Sequence, residues 1–282
     1  MSGPINAAAM SDGDLASHLA QVAGQILIDV RSSGLFSAKA LGKAGDQTAN
    51  QFLVHALREV RGDDGLLSEE EKDNPARLDQ SRVWIVDPVD GTREYGEERA
   101  DWAVHVGLAI DGEPVLGAVA LPGLDGGTVL RSDRPVPVPP APDTLRMVVS
   151  RTRPAKEAVE VAERLGAELV PMGSAGAKAM AIILGQADIY LHSGGQYEWD
   201  SMAPAAVALA HGLHASRLLR ESQAASYPHY AKLSPAGHDR CEEDPCPSAR
   251  VGVWRSPLGR RRRCEVRRMP YPYFMKPARR AS

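Results

Sequence analysis

Apolar residues recur at spacings of three and four through Leu15, Leu19, Val22, Ala23, Ile26, Leu27 and Val30, the period of a helix with one buried face. Ser11 or Asp12 stands where a cap belongs. A second helix reads through Ala49, Phe52, Leu53, Ala56, Leu57 and Val60 and stops at the Gly-Asp-Asp-Gly of 62–65, with Asp46 a candidate cap. The period then changes. LLSEE (66–70) is a short apolar segment running into acid, and RVWIV (82–86) is a strand that delivers its C-terminal end to Asp87. In WAVHVGLAI (102–110) large and small residues alternate, which puts Trp102, Val104, Val106, Leu108 and Ile110 on one face. With the turn DGE and PVLGAVALP (114–122) it predicts an antiparallel hairpin, and GGTVLRS (126–132) adds a strand.

The proline-rich DRPVPVPPAPDT (133–144) is the internal boundary. Beyond it strands at LRMVVS, ELVPM and ADIYLH alternate with helices over 154–166, in GSAGAKAMAIILG (173–185) and in EWDSMAPAAVALAHGL (198–213). The predicted class is α/β: an α+β subdomain over 1–140, then an α/β subdomain over 145–217. After Leu218 no useful period continues, and residues 218–282 hold 8 of the 21 prolines.

Charge sharpens that boundary. The net −3 combines a tail from Arg217 onward with 15 Lys+Arg against 6 Asp+Glu and a body with 18 against 30. All three cysteines (Cys241, Cys246 and Cys264) lie in the tail, so the body depends on neither disulfides nor thiolate metal sites. The tail reads as a frame-shifted or otherwise non-native stretch, as a disordered appendage, or as a nucleic-acid-binding arm built on GRRRRCEVRR (259–268). The acidic body is not expected to bind nucleic acid. No apolar run reaches eighteen residues and the first residues lack the basic flank of a secretory signal, so no membrane span is expected and the cytoplasm is the expected compartment.

The candidate chemistry sits in DPVDGT (87–92). Hard divalent cations take oxygen ligands. A strand ending at Asp87, the fixed angle of Pro88, the Val89 carbonyl and the Asp90 carboxylate can face one space, as a two-metal phosphoester site requires. Gly91 permits close approach, and a helix starting at Thr92 turns N–H groups toward a phosphate oxygen. The plain alternative is an Asx-type turn with solvated acids. Glu69, Glu70 and Glu71 upstream and Asp200 at a helix start are further acids whose plain readings are a solvated loop and a cap. No Ser-His-Asp or Cys nucleophile fits: the body's histidines (His18, His55, His105, His192, His211 and His214) are scattered.

LSEE, WIVDPVDGTREY and EWDSMAPAA, in this order and spacing, resemble the inositol monophosphatase superfamily of Mg²⁺-dependent, Li⁺-sensitive phosphatases over roughly residues 12–217. GSAGAKAM followed by GGQYEWD resembles its 3′(2′),5′-bisphosphate nucleotidase (CysQ-type) branch. The resemblance implies a layered α-β-α-β-α sandwich and two or three Mg²⁺ ions. It makes Glu69, Asp87, the Val89 carbonyl, Asp90 and Asp200 metal ligands, lets Glu70 hold a water, and pairs Thr92 with Asp46 around the attacking water. Gly91 and Thr92 then face the phosphate. The residues around Asp46 read AGDQTAN where the family commonly has another form. Ser150, Arg151, Ser174 and Lys178 are candidates for the rest of a small phosphorylated nucleotide, with Ser150 and Arg151 also readable as a capping turn and Lys178 as a solvated helix lysine. A homodimer is left open.

The implied reaction is removal of the 3′-phosphate of adenosine 3′,5′-bisphosphate, with its sulfated form as a further substrate, in the service of sulfate assimilation. Three rivals stand beside it. Inositol 1-phosphate or a sugar phosphate could be the substrate. A haloacid-dehalogenase-type phosphatase would carry DxDGT and phosphorylate its first Asp, but here one more residue separates the acids. An inactive relic would follow if the closing strands of the fold, expected after HASR (214–217), are missing.

Overall fold

The computed structural model describes residues 6–124, 126–193, 196–217 and 251–254. Two five-stranded sheets carry the architecture. The first runs in the order β1 (Gly65–Ser68), β2 (Arg82–Asp90), β3 (Ala103–Ile110), β4 (Glu113–Leu121) and β5 (Thr128–Arg131). Only the β1–β2 pair is parallel; the rest is antiparallel. The second runs β7 (Glu168–Met172), β6 (Arg146–Ser150), β8 (Ile189–Leu191), β10 (Val251–Trp254) and β9 (His214–Arg217), parallel through β7, β6 and β8 and antiparallel at β10.

Helices fill three layers around them. α1 (Asp12–Ser32) and α2 (Ala38–Val60) cover one face of the first sheet, where Leu15, Leu19, Leu27, Leu53 and Leu57 meet Trp84, Val86, Val104, Val106 and Leu108. Ser11 caps α1, its side chain accepting from the Asp14 N–H, with Asp12 and Asp14 in the first turn, where an acid favours the helix dipole. The opposite face, Val83, Ile85 and Ala109, packs on Trp199 and Met202 of α6 (Glu198–Ala210). With α5 (Ala175–Ile183), α6 forms the middle layer, also packed on Val148 and Tyr190 of the second sheet. α4 (Lys156–Leu165) covers that sheet's far side through Ala158 and Ala162 on Met147 and Val149. The first sheet's interior is therefore buried on both faces, which is why RVWIV is apolar throughout rather than alternating. The layered sandwich expected from the resemblance is the observed fold.

Three elements depart from the sequence reading. Helix α2 begins at Ala38, so Asp46 lies within it and caps nothing. Gly42 and Gly45 hid the period; a Cβ on Gly45 would press into the Tyr95 ring, so the gap in hydrophobicity is a point of close packing. Strand β2 continues past Val86 to Asp90, with an irregularity between Asp87 and Asp90 that re-aims the side chains. The tail, read as lacking strands, contributes β10, which pairs with both β8 and β9. A four-residue strand is too short to show a period by itself and is fixed by its two neighbours. The remaining tail expectations, Cys241, Cys246, Cys264 and the arginine-rich run included, lie outside the described residues. Among the described residues no helix is long and apolar enough to cross a membrane.

Candidate active site

The acids converge because four elements end at one place. In the parallel β1–β2 pair Ser68 lies opposite Val86, so the residues that follow, Glu69 and Asp87, come side by side. Gly91 takes φ +91, which L-residues rarely adopt, and turns the chain from β2 into the short helix α3 (Thr92–Gly96). α6 brings Asp200 in its first turn, where the Asp200 Oδ2 accepts from the Tyr197 N–H at 2.7 Å. One oxygen each from Asp87, Asp90 and Asp200 lies within 4.8 Å of the others. Asp87 and Asp90 are buried, Asp200 partly so. The Asp87 carboxylate also accepts from the Val89 N–H at 3.1 Å, and the Val89 carbonyl accepts from Thr92 Oγ1 at 3.1 Å. Thr92 Oγ1 also lies 3.2 Å from Asp46 Oδ1, the second acceptor for its single proton.

Electrostatics divides these acids. Burial pushes the Asp87 carboxyl well above its ordinary range, and Glu69, Asp90 and Asp200 push further. Burial, then the charge of Asp200, raises Glu69 to about 8 despite a hydrogen bond with Asp87. Burial and Glu70 raise Asp46 to about 7; burial and Asp90 raise Asp200 to about 6. Asp90 is the exception. Burial works upward there too, but His105, Ser174 and the Gly176 N–H outweigh it and hold the carboxyl well below the usual range. Its oxygens accept from Ser174 Oγ at 2.5 Å, the Gly176 N–H at 2.6 Å and the Ala175 N–H at 3.1 Å, all at the start of α5, and His105 Nε2 lies at 3.2 Å. The donor set is all oxygen and strongly anionic, two of its carboxylates are buried, and the crowding at Asp87 is what a hard divalent cation relieves. The residues therefore fit such a metal, with Asp87, Asp90 and Asp200 the groups to hold it and Glu69 beside them.

Of the four candidate substrate contacts, Ser174 touches this cluster and the others are engaged beside it. Ser174, a candidate substrate contact, caps α5 by accepting from the Ala177 N–H and donates to Asp90. Lys178, read as reaching outward, is buried: its Nζ donates to the carbonyls of Gly173 and Ser174 at 2.8 and 2.7 Å and sits 5.4 Å from the Tyr190 ring centre. Its neighbour in the turn, Ser174, is held at φ +37, a conformation costly for a non-glycine residue. Arg151 is paired with Glu94 and Glu97, tying the end of β6 to α3, and Ser150 Oγ accepts from the Arg153 N–H in the turn after β6, short of the α4 cap position at Ala155. Sequence reasoning missed His105. Its signal was parity: with Trp102, Val104 and Val106 facing α1 and α2, position 105 points to the covered opposite face, where a polar side chain needs a partner.

A sequence profile described as the inositol monophosphatase family matches residues 13–217. The chain belongs to the inositol monophosphatase family. Within the family it is 47% identical over 225 residues to the 3′-phosphoadenosine 5′-phosphate phosphatase of Mycobacterium leprae, covering 75% of this chain and 83% of that protein. The 3′(2′),5′-bisphosphate nucleotidase CysQ of Salmonella typhimurium is 32% identical over 184 residues, 61% of this chain and 74% of that one. Among solved structures, CysQ from Bacteroides thetaiotaomicron superposes with a TM-score of 0.60 at 25% identity, over 71% of this chain and 86% of that one. Enzymes of this family use divalent metals, in keeping with the carboxylate cluster.

Proposed function

We propose that the chain is a Mg²⁺-dependent phosphomonoesterase that hydrolyses the 3′-phosphate of adenosine 3′,5′-bisphosphate, with the sulfated nucleotide as a second substrate. The observation that carries the reaction type is the convergence of Asp87, Asp90 and Asp200 within 4.8 Å on a buried, all-oxygen site. The names of the 47%-identical and 32%-identical relatives support the nucleotide. So charged a substrate does not cross membranes unaided, which favours the cytoplasm and a role in sulfate assimilation.

Two or three divalent cations held there would supply neutralisation of phosphoryl charge and acidification of a bound water. Asp87, central to the cluster and crowded by Glu69, Asp90 and Asp200, would be the carboxylate shared between ions, which Glu69, the Val89 carbonyl, Asp90 and Asp200 would also hold. Thr92 Oγ1 accepts a hydrogen bond from the attacking water while donating to Asp46. Asp46, which burial and Glu70 raise in the metal-free protein, is placed to take up a proton through Thr92. Glu70, exposed and close enough to raise Asp46, steadies a neighbouring water. The turn at Gly91 and Thr92 lets the backbone approach the phosphate.

Phosphate release from adenosine 3′,5′-bisphosphate and from inositol 1-phosphate, each with and without Mg²⁺, tests this reading. It requires Mg²⁺-dependent release, preference for the nucleotide and inhibition by Li⁺. Preference for inositol 1-phosphate would move the substrate, and release untouched by chelation would end the metal reading.

A further inference from the structure

His105 is fully buried at the centre of the site, yet the chemistry above does not use it. It pairs directly across the β2–β3 ladder from Asp87, and both side chains point toward α5 and α6. Its ring has two contacts. Nδ1 lies 2.9 Å from the Trp199 carbonyl, which can only accept, so Nδ1 carries a hydrogen. Nε2 lies 3.2 Å from Asp90 Oδ2, within ion-pair distance but without the alignment of a hydrogen bond. Trp199 immediately precedes Asp200 in the first turn of α6. One rigid ring therefore spans the end of β2 and the start of α6, the two elements that supply Asp90 and Asp200. Space for it is set by Gly176, since a Cβ there would overlap Nε2.

We propose that His105 is a positioning residue that braces the Asp90 carboxylate against the first turn of α6 and so fixes the separation of Asp90 and Asp200. This rests on the reading of those carboxylates as metal ligands. Ligands held by an outer group bind metal more tightly, and loss of such a group typically costs about 10- to 100-fold in affinity. A brace differs from a simple partner of Asp90, because both ends of the ring matter.

Two substitutions separate the ends. In His105→Asn the amide nitrogen takes the place of Nδ1, keeping Trp199 and losing Asp90. In His105→Gln it takes the place of Nε2, keeping Asp90 and losing Trp199. Mn²⁺ alone is titrated calorimetrically into the metal-free full chain, with no nucleotide present, and metal-free unfolding is recorded beside it. Both variants are expected to bind Mn²⁺ about 10-fold more weakly, and to recover kcat at raised metal concentration with the KM for nucleotide unchanged. Wild-type affinity in either variant overturns the brace. If both variants lower the metal-free melting temperature, Gly176→Ala decides: it displaces the ring while leaving His105 in the chain. Weakened Mn²⁺ binding there supports the proposal, and unchanged binding overturns it. A wild-type chain that takes up no Mn²⁺ overturns the metal-site reading itself, and the brace with it.

Discussion

The two carboxylates of DPVD, three residues apart on one strand, live in opposite environments. Asp87 faces other acids and is pushed up by burial and by Glu69, Asp90 and Asp200. Asp90 faces the start of α5 and His105, and is held down by donors that satisfy it without a metal. Both are buried, so burial does not separate them; the neighbours do. One end of the site is crowded with acids whose repulsion a cation would relieve. The other is pre-formed and would give such a cation a fixed edge. A site built wholly like Asp87 would repel itself apart, and one built wholly like Asp90 would have little charge left to offer.

The contrast is easiest to break at Asp87. Asp87→Asn removes the carboxylate proposed to be shared between ions, and kcat/KM is expected to fall on the order of 10³-fold, about 4 kcal/mol at the barrier. The same variant should raise the metal-free melting temperature, because it relieves the crowding; a variant that keeps full activity contradicts the shared role. Thr92→Ala removes the hydroxyl between Asp46 and the Val89 carbonyl. Its kcat is expected to fall roughly 10²-fold with little change in KM, and Thr92→Ser should recover most of it.

Titration comes next in size. Glu69, Asp46 and Asp200 are raised from 4.5, 3.8 and 3.8 to about 8, 7 and 6. Across that window the folded, metal-free protein keeps protons that the unfolded chain has released, so ν is larger for the folded state. Stability in chelator must therefore fall as pH rises from about 4 to 8. Saturating Mg²⁺ favours the charged forms and should flatten or reverse the slope. Denaturant midpoints at each pH, with and without metal, read this directly; a chelated protein that gains stability over this range contradicts the crowding.

Smaller effects sharpen the Asp90 end. Ser174→Ala loses the α5 cap and the hydrogen bond to Asp90, a destabilisation of about 1–2 kcal/mol in denaturant melts, with weaker metal binding. Lys178→Met leaves the Gly173 carbonyl without its buried donor, while the Ser174 carbonyl keeps the backbone N–H of residue 178, costing about 1–3 kcal/mol. An unchanged melting midpoint would show that the turn does not depend on the lysine.

Much of the frame was legible in order. The helix period of 15–30, the alternation of 102–110 and the strand-helix alternation after 145 each report a local face, and faces survive in sequence. Asp46 was misplaced as a cap because glycines that pack against Tyr95 look like a break in the pattern. A lone cation in sequence carries no sign of its partner: Lys178 meets backbone carbonyls five and four residues back, and Arg151 meets Glu94 in α3 and Glu97 just beyond it. β10 went unseen because four residues between two unrelated strands have no period to display.

The chain alone determined which acids exist, the order of most strands and helices, and that oxygen rather than sulfur or imidazole would face a metal, since these follow from residue type and local spacing. Only the tertiary structure decided that Asp87 and Asp90 differ, that Ser174 serves Asp90, and that His105 lies between β2 and α6. Those facts depend on which groups from distant segments share a low-dielectric interior, and at a few ångströms such a neighbour outweighs anything a residue carries by itself.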